Sequence, residues 1–144
     1  TGALGCVVAG GLADRFGRTT VTMAAMAVSG TCALLIGLTP ALGAGVVIAV
    51  ALIWGISVIA DSAQFSASVA ELSEPELVGT MLTLQTSMGF LLTFIIIQSM
   101  PLIVAACGWA FAFAALAIGP WLGVLAMGRL RRLPEALRLA NGRR

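Results

Sequence analysis

Residues 10–39 read GGLADRFGRTTVTMAAMAVSGTCALLIGLT, and the two halves of this stretch differ in kind. Asp14, Arg15 and Arg18 crowd its beginning, whereas no charged residue stands between Val21 and Thr39. About 20 predominantly apolar residues are needed for a helix to cross the hydrocarbon core of a bilayer. The second half meets that length, and the charged, glycine-bearing first half has the character of a segment held at the aqueous edge.

The same pattern recurs along the chain. Of 144 residues, 60% are apolar and 10% charged, against roughly 25% charged in a soluble domain. The mean hydropathy is +1.07. Four apolar stretches, about 21–39, 42–61, 79–103 and 109–128, are each long enough to span. Residues 1–9 read as the tail of another apolar helix, so the chain is expected to be a piece of a longer protein. The fold class that follows is an all-α polytopic helix bundle over residues 1–128, with an Arg-rich tail over 129–144. Pro40 is the expected stop of the first full span, since proline lacks an amide donor and disfavours helix in the preceding residue. Ser73 and Glu76 have the spacing of a capping box opening the third. Pro101 is expected to kink or end that span, and Pro120 to lie within the fourth.

The charges order the topology. Arg15 and Arg18 precede the first full span, Asp61, Glu71, Glu74 and Glu76 fall between the second and third, and six arginines from Arg129 to Arg144 follow the fourth. The connections near Pro40 and near Val104–Gly108 carry no charge. Two spans therefore separate successive charged segments, which places all of them on one side. Short arginine-rich segments mark the cytoplasmic side, and the tail is expected there. Leu130, Leu133, Leu137 and Ala140 have α-helical spacing, so the tail reads as an amphipathic helix suited either to anionic headgroups or to water.

Chemistry by side-chain catalysis is not indicated. Histidine, lysine and tyrosine are absent, and Cys6, Cys32 and Cys107 lack the spacing of metal ligands or a disulfide framework. No enzyme activity, metal, cofactor or nucleic-acid partner is expected.

Gly10-Gly11-Leu12-Ala13-Asp14-Arg15-Phe16-Gly17-Arg18 resembles the signature G-x-x-x-D-R-x-G-R-[RK] of the major facilitator superfamily, with Gly10, Asp14, Arg15, Gly17 and Arg18 matching and Thr19 in place of a basic residue. Glu71–Thr80 is similar to a second motif of that family, E-x-x-P-x-x-x-R-G-T. There Pro75 is displaced by one residue and Val78 replaces the arginine, a departure from the sugar-porter branch. The resemblance implies the end of helix 8 through helix 12 of a twelve-helix permease, with helices 2 to 6 as the alternative. It also implies alternating access between two bundles, a small-molecule substrate, the missing N-terminal helices and the lipid bilayer as partners, and a bacterial inner-membrane location. Competing readings are a non-transporting split module that serves as an assembly partner, and a small four-helix exporter. The five matching residues are the expected conformational gate. Gly10 is expected to let backbones approach and Gly17 to permit a tight turn.

The second span supplies the expected pathway. Trp54, Ser57, Asp61, Gln64 and Ser68 recur at spacings of three or four and share a helix face. A polar stripe inside a membrane must meet protein or water. Asp61 is expected either to contact proton or substrate, or to sit at the cytoplasmic helix end paired with Arg15 or Arg18. Gln85 on the third span is the remaining candidate. Ala115, Gly119 and Gly123 form a small-residue ridge on the fourth, suited to close helix packing.

Overall fold

The computed structural model describes residues 2–38 and 43–142; for 2–5, 38, 137 and 140–142 it describes the backbone alone. Four α-helices follow one another: α1 (Gly2–Phe16), α2 (Arg18–Leu38), α3 (Ala44–Leu72) and α4 (Val78–Leu130). A 3-10 helix (Pro134–Gly142) closes the described chain. Among the described residues there is no strand, and α2, α3 and α4 are long and apolar enough to cross a membrane. The protein is an all-α membrane helix bundle. Pro40 and Leu42, and with them the expected boundaries there, lie outside the described residues, as do Arg143 and Arg144.

The charged opening segment is helix almost throughout. Only Gly17 separates α1 from α2, at φ 94, a value that side chains with a Cβ rarely adopt. Its amide donates to the Ala13 carbonyl at 3.0 Å and its carbonyl accepts from the Val21 amide at 3.2 Å, so one residue ends one helix and starts the next. The close backbone approach expected at Gly10 is not found: a Cβ there would meet no atom within 4 Å.

α3 runs through Asp61 to Leu72, roughly three turns further than its apolar run alone suggests. Ser73 is then its C-cap, and the Ser73 hydroxyl donates to the Val69 carbonyl at 2.6 Å. The expected capping box is thereby replaced. α4 starts after Leu77, whose apolar side chain offers no cap.

α4 is two antiparallel arms joined at Gly108 (φ 80, ψ 171). Ile96, Met100 and Ile103 of the first arm and Ala112, Ala115 and Gly119 of the second line one cavity of about 280 Å³. Pro101 does not end the helix; the reversal comes at Gly108, where glycine tolerates positive φ. Pro120 likewise stays inside its arm.

α2 is the centre of the packing and runs antiparallel to the second arm. Cβ atoms built on Gly37 and Gly30 would fall 2.8 Å from the Ala110 carbonyl oxygen and 2.9 Å from the Trp121 indole nitrogen. One on Gly123 would collide with the Met26 side chain. The ridge expected on this arm is thus divided: Gly123 packs on α2, while Ala115 and Gly119 face the first arm. Small residues dominate the interior (Ala13, Ala33, Ala60, Ala112, Ala117), and Leu, Ile and Phe lie largely outside. That inversion of a soluble core is what a lipid solvent permits, since close backbone packing supplies the contact. No residue of the 78–107 arm is buried, and Phe90 is 72% exposed.

Met23 lies near Gly128, and Arg18 near Glu71, so the α1–α2 junction, the end of α3 and the end of α4 gather at one face. Gly37→Ala should lower the thermal unfolding midpoint of the detergent-purified protein, at a cost of about 1–3 kcal/mol from overpacking against backbone. Gly55→Ala, where a Cβ meets open space, should leave the midpoint unchanged or raise it slightly.

Candidate functional site

Arg18 is the first residue of α2 and reaches across to α3. Its Nε donates to Glu71 Oε2 at 3.0 Å and its Nη2 to Glu71 Oε1 at 2.5 Å, a fork-to-fork pairing. Its Nη1 donates to Gln64 Oε1 at 2.9 Å. Asp14, one turn back on α1, adds a longer ion contact at 3.7 Å. The Arg18 side chain is 11% exposed, that of Glu71 29% and that of Asp14 72%. Glu71 and Gln64 therefore carry the interaction, and Asp14 contributes through solvent.

Helix electrostatics explain why this pairing suits the ends involved. A cation on the first turn of α2 and an anion on the last turn of α3 are each misplaced against their own helix dipole, by roughly 0.3–1 kcal/mol. Bringing Arg18 to the C-terminal end of α3 places the cation at a favourable pole and neutralises Glu71. Arg15, at the C-terminal end of α1, is favourably placed where it stands, with its guanidinium 5.6 Å from the Phe16 ring centroid.

The polar stripe of α3 divides. Ser57, Gln64 and Ser68 are buried, together with Ala60, on the face toward α1 and α2. Ser57 donates to the Ile53 carbonyl at 2.9 Å and Ser68 to the Gln64 carbonyl at 2.8 Å, so both are satisfied within their own helix. Trp54 donates to the Ser29 hydroxyl at 3.1 Å and meets Phe113 edge-on, with ring centroids 6.2 Å apart. Phe113 also stacks with Trp109 at 6.1 Å. Trp54 thus ties α3 to α2 and to the second arm of α4.

Asp61 lies at the flank of the stripe, half-buried, and accepts from the Ser62 hydroxyl at 3.3 Å. The pairing of Asp61 with Arg15 or Arg18 is not found. Because α3 continues past Asp61, Glu71 arrives at the level of Arg18, and Asp61 is left one turn deeper than Gln64. Gln85 sits on the 78–107 arm with its Oε1 enclosed and without a hydrogen-bond partner among the described residues. A cavity of about 440 Å³ between α1, α2 and α3 includes none of Asp61, Gln64 or Gln85; Ser57 supplies the one hydroxyl among its lining residues.

The functional-site candidate that sequence reasoning missed is Glu71. It lies seven residues after Gln64, in the same heptad phase, and its length and charge match the Arg18 fork. That phase relation was the available signal, but it counts only if the helix extends to Leu72. Among the described residues, no cluster of His, Cys, Asp and Glu could hold a metal.

A family model described as "Sugar (and other) transporter" matches residues 1–136. No curated protein and no solved structure matches the chain. Gln64→Leu should leave a buried guanidinium N–H without an acceptor and cost about 1–3 kcal/mol of stability. Asp14→Asn should leave the thermal midpoint unchanged in the same assay, as its exposure requires.

Proposed function

Because the chain belongs to the sugar (and other) transporter family, within the major facilitator kind, we propose that it forms one bundle of a secondary transporter moving a sugar or similar small solute by alternating access. The observation that carries this reading is the Arg18–Glu71–Gln64 tie, made by the arginine that closes the signature segment. The departures at Pro75 and Val78 do not take the chain out of the family, whose model runs through them.

In this reading Arg18, Glu71 and Gln64 lock the ends of α2 and α3 into one rigid unit on the cytoplasmic side. Asp14 and Arg15 stand on the exposed turn before Gly17, the surface that meets the opposing bundle when that side closes. Gly17 keeps the turn short enough to transmit the movement. Asp61 supplies a carboxylate inside α3, roughly three turns before its end, a placement that membranes tolerate for function rather than for stability. It takes up a proton or contacts the solute, and Gln85, whose oxygen has no partner among the described residues, supplies a hydrogen-bond acceptor to a hydroxyl-bearing substrate. Trp54 and Ser57 serve this site by packing.

The 78–107 arm, none of whose residues is buried, supports a larger assembly, in which further helices of the same transporter cover part of it. The protein is an integral membrane protein; the bacterial inner membrane and a cytoplasmic C-terminal tail are the location and orientation proposed for it. Uptake of labelled hexoses and pentoses by vesicles containing the intact protein tests the reading. Asp61→Asn, at normal expression, is expected to abolish most proton-driven uptake. Unchanged proton-driven uptake would remove Asp61 from the pathway, and the absence of uptake of any solute by the native protein would remove the transport reading itself.

A further inference from the structure

The segment after the last span has two unlike sides, and the transport reading uses neither. α4 ends at Leu130, and the chain turns through Arg131–Leu133 into the 3-10 helix, which packs against α3 and α2. A 3-10 helix repeats every three residues, so Ala136 and Leu139 stack on one side. Both are fully buried. Of the α-helical apolar face expected in this tail, the side chains of Leu137 and Ala140 lie outside the described residues and Leu133 is 49% exposed, while Leu139 is seated in the bundle. Gly128 lies beside Met23, near the start of α2, so the short stretch that follows reaches only the helix ends that also bear the Arg18 tie.

The other side is basic. Arg129 in the last turn of α4, Arg131 and Arg132 in the turn, and Arg138 on the 3-10 helix are all exposed. None of the four pairs with a carboxylate among the described residues, and Glu135 is the single acidic residue between them.

We propose that this arginine surface docks on the anionic phospholipid headgroups of the adjoining leaflet, and that the bound leaflet braces the tail against the ends of α2 and α3. Charge and position both select a lipid partner. The patch begins inside the last turn of a spanning helix, so it lies within a Debye length, about 8 Å, of the membrane surface. Leu133, exposed among the arginines, adds an apolar contact suited to the headgroup boundary. The seated Leu139 holds the tail close to the bundle, where the leaflet rather than a soluble partner is in reach. Each arginine near an anionic leaflet strengthens such attachment roughly fivefold.

The test compares the intact protein in phosphatidylcholine vesicles with and without phosphatidylglycerol, at low and high salt. Trypsin cleavage at Arg131 and Arg132 should be slowed by phosphatidylglycerol at low salt and restored by high salt. Phosphatidylglycerol added to detergent-solubilised protein should also raise its thermal midpoint, and the variant R131Q/R132Q/R138Q should lose most of that rise while keeping its midpoint in phosphatidylcholine. Equal cleavage in both vesicles, or a full phosphatidylglycerol response in the triple variant, would overturn the proposal. So would protection of the tail by a soluble acidic protein but not by phosphatidylglycerol. None of these readouts depends on solute uptake, so they stand apart from the transport reading.

Discussion

A guanidinium group that begins one helix and finds its counter-charge on the last turn of another imposes a strong constraint on a membrane bundle. Arg18 has three donor directions in use and little contact with water. Once it is enclosed, the two acceptors on α3 have to stay where they are, because an uncompensated buried charge is far more costly than the pair is favourable. The relative height of α2 and α3 is thereby set. With that height fixed, Ser29 faces Trp54, the Gly17 turn is held short, and α1 lies against α3.

Away from that end, packing takes over from charge. The apolar side chains gain nothing by leaving a lipid solvent, so the interior is built from residues small enough for backbones to touch. Gly30 and Gly37 on α2 receive the second arm of α4 at distances that no Cβ could occupy without a shift. The bundle therefore combines one directional polar tie at the charged face with close, non-directional packing through the membrane. These two devices leave the 78–107 arm attached mainly through its own partner arm and the short link to α3.

The membrane class was legible in the sequence because it depends on a local quantity, apolar length. The signature segment was legible for the same reason, since Gly17 has to turn where a charged helix end meets the next span. The end of α3 was not. Its apolar run ends at Asp61 and its polar stripe reaches only Ser68, while the helix continues to Leu72 with Gln64, Ser68 and Glu71 placed against α1 and α2. That is tertiary context overriding local character. The same cause explains Asp61 and Ser73. Of the two placements open to Asp61, the helix-end pairing with arginine is not found, and Ser73, spaced to open a helix, closes α3. In the tail, Ala136 and Leu139 follow a three-residue repeat rather than an α-helical one, so Leu139 is the buried anchor and Leu133 is exposed.

The signature arginine thus has a structural task that the spacing of the motif alone does not state: it joins the ends of two spans through a partner seven residues beyond Gln64. The direct measurement of that task is a double-mutant cycle on unfolding of the purified protein, using Arg18→Gln, Glu71→Gln and the two combined. A coupling of about 2–3 kcal/mol between the sites is predicted, as for a partly buried, bidentate pair. Effects that add to within about 0.5 kcal/mol would contradict a tie between these helix ends.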